Sequence, residues 1–176
     1  MAALRPWKSH IPDAMDALVD LVEARVALLG LDIKVSDGGF IGGGTAAQVL
    51  QLGWPGFQPG YEYPSRSMSE ETGNAAVASE GSLQGLAPAV IETFTIACAS
   101  LVRSGSTSQA EMRLARRNAY QNINIVATVV QGPNNLNGSV ARMTMGSTTS
   151  YYPIQDRRGL LALVSFGIRC EAFAQQ

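Results

Sequence analysis

The sequence predicts a single α+β domain in which a mostly antiparallel sheet packs against two long helices, with a long extended loop or arm. Two segments carry apolar residues at helical spacing, several shorter segments alternate apolar and polar residues, and a polar stretch divides them. The chain has 176 residues, of which 46% are hydrophobic. Because this is enough for one core and too little for two, we expect residues 1–176 to form one domain.

The first element is an amphipathic helix over residues 11–29. Pro12 suits its first turn, and Gly30 offers the left-handed residue that closes it. Acidic residues lie on the side opposite the apolar stripe. The residues of the predicted buried stripe are Met15, Leu18, Val19, Val22, Val26 and Leu29.

Two short strands follow this helix. Residues 33–35 form the first, which an Asp-Gly turn ends, and residues 46–54 form the second, which a Pro-Gly pair ends. The glycine-rich stretch 38–45 between them has neither the lysine of a phosphate loop nor the spacing of a dinucleotide loop. We therefore expect a flexible loop there rather than a phosphate site.

Residues 55–85 are too polar for a core segment and too long for an ordinary connection, and they predict the extended arm. Aromatic side chains near its start depart from this polar composition. Solvated loops rarely keep such apolar area without a partner surface that buries it, so we predict contacts with another protein chain. These aromatic residues are Trp54, Phe57, Tyr61 and Tyr63.

The segment after the arm combines a long strand with the second helix. Residues 90–103 alternate strongly and predict a central strand. Ser108 and Glu111 form a capping-box pattern, so a helix begins there and runs to the Gly-Pro pair at Gly132. The predicted core residues of this strand and helix are Phe94, Ile96, Cys98, Val102, Met112, Ala115, Ala119, Ile123, Val126 and Val130.

The C-terminal part of the chain predicts two more strands, over residues 140–145 and 160–173. An Asn- and Gly-rich turn precedes the first, and a hairpin over residues 151–159 separates the two. The second strand alternates as a half-buried antiparallel strand does. Its predicted buried residues are Val164, Phe166, Ile168, Cys170 and Ala172.

Charge and composition argue against several classes of partner. The 13 basic residues nearly balance the 14 acidic ones, so the excess that nucleic-acid phosphates require is missing. Cys98 and Cys170 lie far apart in apolar segments and predict buried free thiols. We expect neither a signal peptide nor a membrane span, and hence synthesis in a reducing cytoplasm.

Catalytic and metal sites also lack their usual residues. His10 is the only histidine, so one chain cannot build a His-based triad or a multi-His metal site. Glu70, Glu71 and Glu80 lie in the polar arm, where no apolar pocket is predicted that would raise a carboxyl pKa. We therefore expect no catalytic residue, no cofactor and no metal.

Paired arginines give two further candidates for contacts with acidic partner surfaces. They are Arg116 with Arg117, on the second helix, and Arg157 with Arg158, in the late hairpin. Paired arginines on a helix face or hairpin are more often simply solvated.

The order of these elements resembles that of the tail terminator proteins of long-tailed, lambda-like bacteriophages. The shared features begin with a helix, a strand ending in Asp-Gly (33–38) and a strand ending in Leu-Gly-Trp (52–54). A Glu-x-Phe-x-Ile-x-Cys strand starting at Glu92 follows, and then an arginine-bearing helix. A Pro-Asn-Asn-Leu-Asn-Gly-Ser-Val turn (133–140), an aromatic hairpin and the strand 163–173 complete the layout.

The resemblance implies a non-enzymatic virion protein that forms a hexameric ring on the head-proximal end of the tail tube. Such a ring stops tail polymerisation and presents a docking face to the head-tail connector or stopper protein. It implies assembly into the neck of the virion after synthesis in the host bacterial cytoplasm, with no membrane or specific nucleic-acid partner.

The same resemblance suggests which residues make the contacts. Residues 54–63 would contact a neighbouring subunit or the tail tube protein, and the late hairpin would face another ring. The hairpin residues concerned are Tyr151, Tyr152, Arg157 and Arg158.

Two other readings of the sequence stay open. Another ring-forming neck protein, such as a head-completion or stopper protein, would share this size and composition. A small-ligand-binding or enzymatic domain could instead form its pocket between subunits, with His10 or the carboxylates contributed across an interface.

Overall fold

The computed structural model describes residues 10–38, 47–53, 65–68, 90–133, 135–146, 150–156 and 159–173. Two helices are present in these residues, α1 (Ile11–Leu28) and α2 (Gln109–Val130). The strands are β1 (Lys34–Asp37), β2 (Gln48–Leu52), β3 (Ser65–Met68), β4 (Val90–Ser104), β5 (Arg142–Met145), β6 (Ser150–Asp156) and β7 (Gly159–Phe173).

The seven described strands form one sheet with the order β1-β2-β4-β7-β5. β3 also pairs with β4, and β6 also pairs with β7. β1 and β2 are parallel, and every other described pair is antiparallel. The sheet is centred on β4 and β7, which stay in register from Ile91 opposite Phe173 to Ser104 opposite Leu160. The predicted α+β class with a mostly antiparallel sheet is therefore confirmed.

Both described helices pack on the same face of the sheet. α1 lies on β1 and β2, whereas α2 lies on β4, β7 and β5. The strand pleat sends alternate side chains of β4 and β7 into the helix-covered core, where Phe166, Ile168 and Val164 are fully buried. The predicted core faces of β4 and β7 are confirmed by the burial of Phe94, Ile96, Cys98, Val102, Val164, Phe166, Ile168, Cys170 and Ala172.

The start of α2 is capped as its sequence predicts. The Ser108 side chain accepts a 3.3 Å hydrogen bond from the backbone N–H of Glu111. The Glu111 carboxylate does not complete the reciprocal bond of a capping box. It accepts instead a 2.9 Å hydrogen bond from the Ser104 hydroxyl at the end of β4, and so ties the helix to the strand.

The turn between α2 and β5 is left-handed over four consecutive residues. Asn135, Leu136 and Asn137 have φ values of 42°, 48° and 54°, and Gly138 follows at 83°. Backbone hydrogen bonds from Gly138 and Val140 to the carbonyl of Asn135 close the turn. Left-handed backbone is unfavourable for residues other than glycine, and the full burial of the Leu136 side chain offsets that cost.

Four sequence predictions are corrected by the structure. The buried side of α1 includes Ala14 and Ala17 but not Leu29, which is 46% exposed because the helix has already ended at Leu28. The first strand covers 34–37 and not 33–35. The strand predicted over 140–145 begins at Arg142. The residues between the last two strands are largely a strand themselves, β6.

The predicted arm also contains regular structure. Within 55–85, Ser65–Met68 form β3, which pairs with the first residues of β4. That pairing extends the sheet beside β4, so this segment is not an unpaired loop. The other residues of the arm lie outside the described part of the chain.

Candidate assembly surface

Of the predicted contact residues, the structure describes the arginine pair of α2, Arg116 and Arg117, which is exposed, and the two tyrosines of the late hairpin. Tyr151 and Tyr152 are neighbours on β6, and the pleat sends them to opposite faces of the sheet. Tyr151 is half-buried and packs against the helix-covered core. Tyr152 is 47% exposed on the other face. The remaining predicted contacts, Trp54, Phe57, Tyr61, Tyr63, Arg157 and Arg158, lie outside the described residues.

Tyr152 is part of an apolar surface on the face of the sheet opposite the helices. It lies directly opposite Leu163 of β7, and Ile154 lies opposite Leu161 in the same ladder. The apolar residues continue across this face of the sheet, because Leu163, which is itself buried, pairs with Leu101, and Leu101 pairs with Val49. We call these six residues the outer patch: Val49, Leu101, Tyr152, Ile154, Leu161 and Leu163.

The most accessible part of the outer patch lies on the edge strand β6. Tyr152 and Ile154 are 47% and 42% exposed, whereas Leu163 beneath Tyr152 is buried. An amphipathic tyrosine beside exposed aliphatic side chains is typical of the centre of protein interfaces. The chemistry of this patch therefore suits a protein partner.

The backbone of β6 is less suited to recruiting a further strand. Pro153 lies between Tyr152 and Ile154 and has no backbone N–H. Among the described strands β6 pairs only with β7, and proline is tolerated in a sheet where its nitrogen faces away from the neighbouring strand. The side of β6 away from β7 therefore lacks a donor at this position. A partner is therefore expected to bind the side chains of the outer patch rather than to extend the sheet.

The other end of the outer face is polar. Arg142 and Thr144 of β5 and Arg169 and Glu171 of β7 line a depression of about 290 Å³. Arg169 Nη2 lies 3.8 Å from Glu171 Oε1, and the two side chains are 62% and 34% exposed. An ion pair so exposed contributes little stability and leaves its charges accessible to a partner.

A second depression, of about 250 Å³, lies between the helices. Leu21, Arg25 and Leu28 of α1 line one side, and Thr128 and Val129 of α2 line the other. Both depressions fall just below the 300–1,000 Å³ that is usual for small-molecule pockets. Neither of these two depressions has the size usual for a small-molecule site.

The two cysteines are buried thiols, as the sequence predicts. Both lie on the helix-covered face of the sheet, Cys98 on β4 and Cys170 on β7. Burial raises the pKa of each thiol to about 12. A thiol that stays protonated at neutral pH is a poor nucleophile and a poor metal ligand. Among the described residues, no group of three or more His, Cys, Asp and Glu side chains is placed to hold a metal ion.

The outer patch carries a sequence signal that strand alternation alone does not reveal. Residues 160–164 are all apolar, so the first half of β7 cannot be polar on its outer face. A strand that is apolar on both faces requires a second surface that covers it. This apolar run at 160–164 therefore indicates where the outer patch lies along β7. The second half of the strand alternates between apolar and polar residues.

Comparisons with known proteins do not assign a family to the chain. No family model matches it, and no curated protein matches it. Neither described helix has the length and apolar character needed to cross a membrane.

Proposed function

We propose that this protein is a structural subunit of a bacteriophage tail, a tail terminator that forms a ring on the head-proximal end of the tail tube. In this role it stops polymerisation of the tube and offers a docking face to the head-tail connector. The resemblance of the element order to tail terminator proteins supports this proposal.

The observation that carries the proposal is the outer patch. Tyr152 and Ile154 present apolar side chains at the sheet edge, over a sheet face that is apolar at Leu101, Leu161 and Leu163. A subunit whose function is assembly needs such surfaces, because burial of apolar area is the main favourable contribution to association. The polar depression at the other end of this face supplies charged groups that can fix the orientation of a partner.

Native mass spectrometry and negative-stain imaging of the purified protein test the proposal. We expect closed rings, and on mixing with tail tubes of the same phage we expect rings at one end of each tube only. Tube growth from purified tube protein should stop when the rings are added. A protein that stays monomeric and never binds tubes would contradict the proposal.

The same experiment separates the alternatives. Rings that bind the head connector but not the tail tube would indicate a head-completion or stopper protein. A monomer whose melting temperature rises with a particular metabolite would indicate a ligand-binding domain, because a ligand that binds the native state stabilises it.

A further inference from the structure

The exposed faces of the two helices carry opposite charges. On α1, Asp13, Asp16, Asp20 and Glu23 recur at intervals of three or four residues and are all exposed. This spacing places them on one side of the helix. We call these four residues the acidic stripe. The only basic residue of α1, Arg25, is half-buried and lines the groove between the helices.

α2 has the complementary pattern. Arg113, Arg116 and Arg117 are exposed, together with Leu114 at 47% and Tyr120 at 40%. We call these five residues the basic face. The only acidic residue of α2, Glu111, is half-buried and bonded to the Ser104 hydroxyl. Arginine and tyrosine are the residue types that most often dominate binding energy at protein interfaces.

The two charged surfaces do not neutralise each other within one chain. Arg169 and Glu171 form an ion pair on β7, away from both helices. None of Asp16, Asp20, Glu23 and the three arginines of the basic face forms an ion pair within the described residues. Within the described part of the chain, the charges of these six side chains therefore have no ion-pair partner.

Helix geometry explains why they do not meet. Val129 lines the groove on the side of α2 that faces α1. Tyr120 precedes it by nine residues, about two and a half turns, and so lies on the opposite side of α2. Leu21 lines the same groove from α1, and Glu23 lies roughly half a turn around that helix from it. The charged surfaces thus point away from the contact between the helices.

We propose that the acidic stripe of one copy of this protein binds the basic face of α2 in the next copy. Two identical stripes repel each other, as do two identical basic faces, so a two-fold symmetric contact through either surface is disfavoured. A contact of the acidic stripe with the basic face joins two different surfaces, so it can run head to tail, and it then closes into a ring when the rotation between subunits allows it. This assignment rests on the proposed function, because it takes the partner from a ring of identical subunits.

Paired charge reversals test the contact in the full-length protein. One variant, D16K/D20K/E23K, makes both surfaces basic, and the other, R113E/R116E/R117E, makes both acidic. Each variant alone should lose the oligomer in analytical ultracentrifugation at low salt, because every head-to-tail contact then joins like charges. An equimolar mixture should regain the wild-type mass, because the two variants can alternate around a six-membered ring.

Three further measurements check that a lost charge contact, and not a lost fold, explains the result. A chain that carries all six reversals has restored complementarity and should assemble alone, which a merely misfolded variant would not do. A control with D32K and K34E reverses two exposed charges that lie outside both helices and should keep the wild-type oligomer. The wild-type oligomer should weaken between low and high salt, since exposed charge pairs are screened.

The outcomes separate this contact from the proposed function. Rings of wild-type mass in both triple variants would contradict the proposed contact but not the terminator role. Loss and rescue as described, with rings that do not cap tubes, would support the contact and contradict the terminator role. Persistent rings in the arginine variant, combined with lost binding to duplex DNA, would assign the basic face to nucleic acid and overturn the contact.

Discussion

The Asn122 side-chain amide donates a 3.1 Å hydrogen bond to the side-chain carbonyl oxygen of Gln48, 74 residues earlier in the chain. Asn122 is only 3% exposed on the core side of α2, and Gln48 begins β2. This bond therefore links the second helix to a strand on the other side of β4. A buried polar pair in an apolar layer fixes the position of the helix on the sheet, because other positions would leave both amides unpaired.

Replacement of Asn122 by Ala should lower the free energy of unfolding by about 1–3 kcal/mol, since the Gln48 amide loses its partner in a largely buried position. Urea denaturation measures the change. The exposed Asn124 on the same helix provides the control, and Asn124→Ala should change stability by less than about 0.5 kcal/mol. Equal effects of the two substitutions would contradict a specific role for the bond.

The capping serine of α2 gives a second prediction. Ser108→Ala removes the acceptor for the Glu111 N–H and should destabilise the protein by about 1 kcal/mol. Glu111→Gln keeps the side-chain shape but replaces the carboxylate that accepts from Ser104, and it should cost less. Thermal unfolding followed by circular dichroism ranks the two variants. A larger loss in Glu111→Gln would show that the strand contact outweighs the cap.

The predictions agree well with the structure where apolar residues recur at regular spacing and residues typical of an element's ends flank them. α1 has apolar residues at helical spacing between Pro12 and Gly30, and its observed limits are Ile11–Leu28. Gly30 adopts a φ of +61°, as a helix-closing residue requires. Such boundaries are local, so neighbouring residues suffice to predict them.

Features that depend on distant partners could not be predicted in the same way. Asn122 interrupts an apolar stripe, and only the position of Gln48 across the fold explains its burial. The exposure of Tyr152 and the half-burial of Tyr151 depend on the register of β6 against β7. A shift of that register by one residue would exchange the faces on which the two side chains lie. The sequence predicts that both tyrosines contact a partner. It does not predict that Tyr151 packs against the core while Tyr152 is exposed.

The buried thiols predict a loss of stability in alkali. The pKa of each thiol is raised from 9.0 to about 12 in the folded protein, chiefly by burial. Above about pH 9 the unfolded chain releases these protons while the folded chain retains them, so stability is fully present below pH 9 and falls towards pH 12.

Urea denaturation at pH 8 and at pH 10 measures this loss. Each thiol should lower the free energy of unfolding by roughly 1 kcal/mol for every pH unit above 9. A Cys98→Ala and Cys170→Ala double variant is less stable at every pH because of the cavities it creates, but its stability should fall less between the two pH values than that of the wild type. Equal falls in the two proteins would show that other groups cause the alkaline loss.

The left-handed turn before β5 predicts an unusual response at Asn137. This residue is exposed and has a φ of 54°, so Asn137→Gly should leave stability unchanged or raise it slightly. Asn137→Val places a β-branched side chain in the same backbone conformation and should cost about 1–2 kcal/mol. Chemical denaturation compares the pair. Both variants remove the same amide, and glycine raises the entropy of the unfolded chain, so a more stable glycine variant would show that the left-handed backbone decides the ranking.

The two tyrosines of β6 separate stability from assembly. Tyr151 packs against the core and Tyr152 contributes to the outer patch, although the two are adjacent in the chain. Tyr151→Ser should lower the free energy of unfolding by roughly 1–3 kcal/mol, because it removes part of the packed core. Tyr152→Ser should cost less, about 1 kcal/mol or below, since Tyr152 is 47% exposed and loses mainly its cross-strand contact with Leu163.

Association should show the opposite ranking. If the outer patch binds a partner, Tyr152→Ser should weaken binding to tail tubes or connector at least about 10-fold, as expected for a tyrosine near the centre of an interface. Denaturation and a tube-binding assay on the same two preparations test this. Undiminished binding by Tyr152→Ser, with its fold intact, would remove the outer patch from the interface. The proposed function would then depend on the charged surfaces of the helices, because the acidic stripe and the basic face are complementary in charge.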